Sequence, residues 1–253
     1  MKLLSAFSPR FLAPLLLALP LTVACGNEEP GTGAPNDNDG DAGASAGGEG
    51  PTGPLLPWAV GNQWTYQVTK DGVVALKTTT IGELEKVGGE GPNADVMAYH
   101  VTTAKGTDQQ DHTESWQAPS ADEPERVMRY HERSFDATSG NLELDEYWDP
   151  GKLHIDGTAE HTAADASWLE TYSETKLPVG LSPTTHEVHE RWTVLETDAT
   201  LEVPAGSFQH VIHLQKVGGS STKEYWYRRG VGKLKETGSQ TEELTEYQIS
   251  HAP

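Results

Sequence analysis

From Trp64 onward polar and apolar residues alternate with a period of two. Trp64, Tyr66 and Val68 fall on one side and Thr65 and Gln67 on the other, as in a strand with one buried face. Asp71-Gly72 comes next, a pair that tolerates positive φ at both positions, so a tight hairpin into Val73 and Val74 is predicted. The same reading predicts strands near 73–84, 94–104, 110–118, 125–135, 141–148, 152–157, 186–197, 207–217, 222–229 and 242–250. Within 186–197, Val188, Trp192 and Val194 share one face while His189, Arg191 and Thr193 share the other; Phe208, Ile212 and Leu214 repeat the pattern. Helical periodicity is nearly absent: Ala163 to Leu169 is predicted as a turn or two of helix, and Pro124 interrupts Asp122 to Arg126. So many antiparallel strands must close or double over to hide their edges and apolar face. The predicted fold is mainly β, a curved antiparallel sheet forming a barrel or half-barrel of about ten to twelve strands with little helix. Residues 55–253 suffice for one such domain.

The residues before this pattern are of two other kinds. Met1 to Ala24 carries Lys2 and Arg10, then runs apolar from Phe11 to Val23 and ends in small residues, the order of an export signal. Its apolar run of about 13 residues falls short of the ~20 that span a bilayer as a helix. Gly26 to Pro54 holds nine glycines and six acidic residues but no Lys, Arg or aromatic. Such a segment cannot bury enough apolar area to offset its chain entropy, and is predicted to be a disordered tether reaching roughly 30 Å. The expected organisation is a signal over 1–24, an anchor and tether over 25–54, and one β-rich domain over 55–253.

Leu21-Thr22-Val23-Ala24-Cys25 resembles a bacterial lipobox, with Thr22 where an aliphatic residue is usual. The resemblance implies cleavage between Ala24 and Cys25, lipidation of Cys25 including a palmitate, and a membrane as partner, since two or more acyl chains anchor stably. Gly26 in the place after the cysteine fits sorting to the outer membrane, as known for lipoproteins of this kind. Cys25 is the only cysteine, so spending it on lipid leaves no disulfide and no catalytic thiol.

Charge and motifs narrow the chemistry. The chain has 18 basic and 38 acidic residues and a formal charge of −20, which becomes −22 once Lys2 and Arg10 leave with the signal. No Lys/Arg-rich face is apparent, which sets nucleic acid aside as a partner. Gly43-Ala44-Ser45-Ala46-Gly47 matches a nucleophile elbow but lacks the flanking strand and helix that the motif needs. Asp37, Asp39 and Asp41 open like a calcium loop, yet Ala42 and Gly48 stand where glycine and glutamate belong. His186 with His189, and His210 with His213, are three apart on predicted strands and so point to opposite faces, which argues against metal ligation. Pairs such as Glu143 with Asp145 or Glu242 with Glu243 are what so acidic a chain places by chance, so no catalytic residue and no cofactor is assigned. Among the seven tryptophans, Trp64 and Trp192 are assigned to the core. Tyr225, Trp226 and Tyr227 put aromatics on both sides of one strand, so one side is predicted to be a ligand wall.

Val203-Pro204-Ala205-Gly206-Ser207-Phe208, the run Tyr225-Trp226-Tyr227-Arg228-Arg229-Gly230-Val231-Gly232-Lys233-Leu234, and Gly61-Asn62-Gln63-Trp64-Thr65-Tyr66 together resemble a pattern of bacterial envelope lipoproteins. Those proteins carry a domain of unknown function similar to the curved sheet of LolA- and LolB-type lipoprotein carriers. The resemblance implies a non-enzymatic protein that binds a lipid or another apolar ligand. A module docking another envelope protein through a strand edge or an acidic face remains a second expectation, and a hydrolase or metalloprotein a third.

Overall fold

The computed structural model describes residues 51–106, 111–219 and 221–250. The signal, its cleavage point at Ala24 and Cys25, and the tether up to residue 50 lie outside the described residues. The described residues form twelve antiparallel strands: β1 (Gln63–Lys70), β2 (Val73–Lys86), β3 (Met97–Lys105), β4 (Asp111–Pro119), β5 (Arg126–Phe135), β6 (Leu142–Asp156), β7 (Ser167–Pro178), β8 (Thr184–Val203), β9 (Gly206–Gly218), β10 (Ser221–Arg228), β11 (Gly232–Thr237) and β12 (Thr241–Gln248). Each pairs with its neighbour in sequence, and β12 pairs with β1, so the sheet is a closed up-and-down barrel. Closure leaves no edge strand.

Turn chemistry sets the register. At the β1–β2 hairpin Asp71 and Gly72 both have positive φ, 50° and 78°, and Lys70 pairs with Val73 across them, as a two-residue turn matching the sheet twist requires. Pro204 and Ala205 form the β8–β9 turn, after which Gly206 pairs back to Val203.

The sequence pattern departs from the structure in several places. Residues 163–165 are turn and bend, with Asp165 at φ 61°, and Ser167 to Leu169 already belong to β7; the expected helix is absent. β6 runs without a break through Asp149-Pro150-Gly151, joining the two strands predicted there. β8 is longer than the predicted 186–197. β7 and β11 were not predicted as strands.

Trp64, Tyr66, Trp192, Val194, Ile212 and Leu214 are buried in the main cluster inside the barrel, as the alternation on their strands predicted, and Tyr227 and Leu244 join them. The preceding segment closes one end. Pro54 O accepts from Gly230 N at 2.9 Å, and Gly53 O accepts from the Arg229 guanidinium at 3.2 Å. Leu55 and Leu56 are buried behind them. Fully buried Asn62 donates to Pro57 O at 2.9 Å and accepts from Ser250 N at 2.8 Å. The Trp64 indole donates to Val231 O at 2.7 Å. A Cβ on Gly232, at φ 104°, would stand 3.1 Å from that indole nitrogen. The Gly61–Tyr66 and Arg228–Leu234 motifs therefore meet in space: their glycines and Asn62 are what lets the N-terminal segment plug the barrel.

Candidate functional site

The barrel encloses a cavity of about 310 Å³. Leu56, Trp58 and Trp64 line it toward the plugged end, and Gln240, from the β11–β12 hairpin, at the other. Lys223, beside the β9–β10 hairpin, is 39% exposed, against 14% for Lys233 deeper in the barrel, which marks that end as the mouth.

An apolar groove was expected; the middle of the lumen is ionic. Strand pairing explains how charges get inside. Trp192 pairs with Lys216, Lys216 with Lys223, Tyr225 with Glu236 and Glu236 with Glu242. Paired residues share a face, so these inward positions carry the lysines and glutamates into the barrel. Lys77, Glu242, Lys233, Glu236 and Lys223 form a chain of alternating sign across β2, β12, β11 and β10. Lys233 bonds Glu236 at 2.6 Å and Glu242 at 2.8 Å. Burial alone would discharge these groups; at Lys233, Glu236 and Glu242 the opposite charges win, holding the ammonium well above its ordinary pKa and both carboxylates well below theirs, whereas at Lys77 burial wins. Elsewhere Lys216 pairs with Glu190 at 2.9 Å, and Arg129 with Glu132.

Lys152 is the exception. It lines the cavity, and among the described residues it has neither a hydrogen-bond acceptor nor a carboxylate within ion-pair distance. Its ammonium lies instead 5.0 Å from the centre of the Trp148 ring and 5.9 Å from that of Tyr172, a cation–π setting. Burial is the main cause that lowers its pKa to about 8, and the nearby Lys216 and Arg129 lower it further against the weaker pull of Glu190 and Glu174. Two residues along β6, His154 is held neutral by burial and by Arg129. Arg129 Nη2 lies 3.3 Å from His154 Nδ1, so that nitrogen accepts and the ring proton sits on Nε2. Further buried polar atoms have no protein partner: the donors Arg129 Nε and Trp58 Nε1 and the acceptor Gln117 Oε1. All three residues line the cavity; His100, Arg133, Trp168, Glu190 and Trp192 carry such atoms away from it.

Of the predicted ligand wall, Tyr225 and Tyr227 line this cavity, while Trp226 faces outward, stacked on His213 with ring centres 4.1 Å apart. The histidines of each pair have separate partners. His186 meets Glu174, His189 meets Glu187, His210 meets Asp198 and His213 meets Glu224, and no group of three or more potential ligands occurs among the described residues. Glu242 points inward and Glu243 bonds Lys235 instead; Asp145 bonds the buried His131 while Glu143 is exposed. Neither acidic pair makes an acid–base couple. On the other side of the sheet from the lumen, His100, Trp116, His131 and Tyr147 stack in a row across β3 to β6 at 5.0, 4.5 and 4.3 Å. The exterior mixes polar positions such as Thr65, Thr78, Arg191, Lys235 and Glu243 with exposed apolar ones such as Leu76, Leu169 and Val217.

No family model matches the chain, and no curated protein matches it. Two crystal structures are similar in fold. One is of a Bacteroides fragilis protein described as exported and as having a YmcC-like fold, with 11% identity over 78% of this chain and 100% of that one, at a TM-score of 0.47. The other is of a Parabacteroides distasonis protein described as a lipoprotein, with 8% identity over 78% of this chain and 99% of that one, at a TM-score of 0.40. Similarity at this level carries nothing about ligand or role.

Proposed function

We propose that the chain is an exported bacterial lipoprotein, cleaved before Cys25 and held at the outer membrane by lipid on that residue, whose barrel binds a small organic acid without converting it. The lipobox-like run before the sole cysteine supports the location. One observation carries the ligand class: Lys152 is the single cation lining the cavity without a carboxylate partner among the described residues.

A desolvated ammonium is costly unless paired, and an incoming carboxylate or phosphate would supply the missing partner beside Arg129 and Lys216. Tyr225, Tyr227 and Trp64 line the same space and would take the ligand's apolar body, as the predicted wall requires. The ligand thus shares an apolar part with the one implied by the carrier-like resemblance and adds an anionic head. Native mass spectrometry of the chain isolated from its own membranes tests this. The expected result is a retained organic acid whose occupancy falls at least tenfold in Lys152→Met. Retention of a neutral amphiphile alone, unaffected by that substitution, would overturn it.

A further inference from the structure

The cation that lacks a partner is also the side chain best suited to covalent chemistry. We infer that Lys152 is a nucleophilic amine that condenses with the aldehyde or ketone group of an organic acid seated in the lumen. The inference rests on the anion-binding reading above and goes beyond it.

Three observations meet at this residue. Its amine borders a cavity large enough for a small molecule. Among the described residues no carboxylate within ion-pair distance holds its proton, whereas the other lysines lining the cavity each have one. Burial and the neighbouring Lys216 and Arg129 disfavour the ammonium, the two devices by which lysines are activated toward carbonyls. At a pKa of about 8, about one-tenth of the amine is free base at pH 7, against less than a thousandth for an ordinary lysine.

The neutral amine adds its lone pair to the carbonyl carbon, and the carbonyl π pair moves to oxygen. A proton passes from nitrogen to that oxygen to give a carbinolamine. Loss of the hydroxyl with one further proton, as water, leaves the imine. No oxidant or reductant is needed, and hydrolysis reverses the step. Once protonated, the iminium keeps a positive charge beside the rings of Trp148 and Tyr172, which already flank the ammonium. The ligand's own acid group is then free to meet Arg129 or Lys216.

Lys77 supplies an internal control. Its pKa is also lowered to about 8, chiefly by burial and then by Lys233, so as much of its amine is free base, but its Nζ is tied to Glu242. A lowered pKa alone would make both lysines reactive; an amine that no carboxylate holds in place singles out Lys152.

The test is reductive trapping with glyoxylate, a small anionic aldehyde, and cyanoborohydride at pH 7 on the mature chain carrying Cys25→Ser, with adducts located by peptide mass spectrometry. Binding of glycolate, which has the acid but no carbonyl, is measured in parallel by calorimetry. The expected result is carboxymethylation of Lys152 at least tenfold faster than of Lys77 or of the exposed Lys70 and Lys86. Lys152→Arg should abolish that adduct without raising the others, while retaining glycolate binding. Glycolate binding with labelling no faster at Lys152 than at Lys70 overturns the nucleophile and leaves the anion site standing. Labelling that favours Lys77 overturns it as well. Absence of both glycolate binding and the adduct overturns both readings.

Discussion

Replacing Lys152 with Met should stabilise the barrel, and the gain should vanish at high pH. The folded-state pKa of about 8 lies roughly 2.4 units below the ordinary lysine value of about 10.4, which corresponds to about 3 kcal/mol of destabilisation wherever the group is charged in both states. Against this stands the cation–π attraction to Trp148 and Tyr172, about 1 kcal/mol for a partly desolvated pair, so the net gain at pH 6.5 is about 2 kcal/mol. The sign comes from proton counting. Between about pH 8 and pH 10.4 the unfolded chain binds the proton that the folded chain has released, so wild-type stability rises with pH across that window. Lys77 contributes a similar rise, but it is common to both proteins and cancels in the difference. Urea unfolding of the two proteins at pH 6.5, 8.0, 9.0 and 10.5 is the assay. A variant less stable than wild type at pH 6.5, or a gain constant across the series, would refute the claim that Lys152 is a desolvated and uncompensated cation.

The lumenal ion pairs, the plugged end and the anchor can each be tested separately. Glu242→Gln leaves Lys77 and Lys233 without their shared carboxylate and should cost about 3 kcal/mol, whereas Glu243→Gln outside the barrel should cost under about 1 kcal/mol; paired urea midpoints check the contrast. Because Glu236 and Glu242 are held below the usual carboxylate range, the stability they contribute is present above about pH 4.3 and is lost as pH falls through their folded values. An acid titration of Glu242→Gln should therefore be flatter than that of wild type. Gly232→Ala puts a Cβ 3.1 Å from the Trp64 indole nitrogen at φ 104° and should lower stability by about 1–3 kcal/mol, seen as a reduced Tm with a lost or shifted Trp64 indole N–H resonance. Cys25→Ser should move the protein from the membrane to the soluble fraction and remove the acyl mass from its N-terminal peptide.

The barrel was legible where one face of a strand is apolar. Trp64, Tyr66 and Val68 are buried as their alternation required, and Asp71-Gly72 and Pro204-Ala205-Gly206 turn where their backbone preferences direct. It was illegible where the inward face is itself charged. On β11, Lys233 and Glu236 point into the lumen, so Gly232-Lys233-Leu234-Lys235-Glu236-Thr237 has the composition of a loop. On β7, Glu170 and Glu174 share the inward face with Trp168 and Tyr172, which erases the contrast between faces. For the same reason the site could not be found from local pattern: Lys152, Lys216 and Arg129 come from β6, β9 and β5, and only closure brings them together. Their signal was present in part, since Lys216 lies two residues beyond Leu214 on a face already assigned to the interior. Of the predicted wall, alternation correctly separated Tyr225 and Tyr227 from Trp226. Which side faced a cavity required the closed sheet.

The central claim is that the lumen takes an anion because Lys152 lacks a counter-ion, and titration calorimetry of glycolate at constant ionic strength tests it most directly. The expected result is one site per chain at pH 7, an affinity at least tenfold weaker at pH 9.5 where Lys152 is largely neutral, and loss of that pH dependence in Lys152→Arg. Affinity equal at the two pH values in wild type, or unchanged in Lys152→Met, would contradict it.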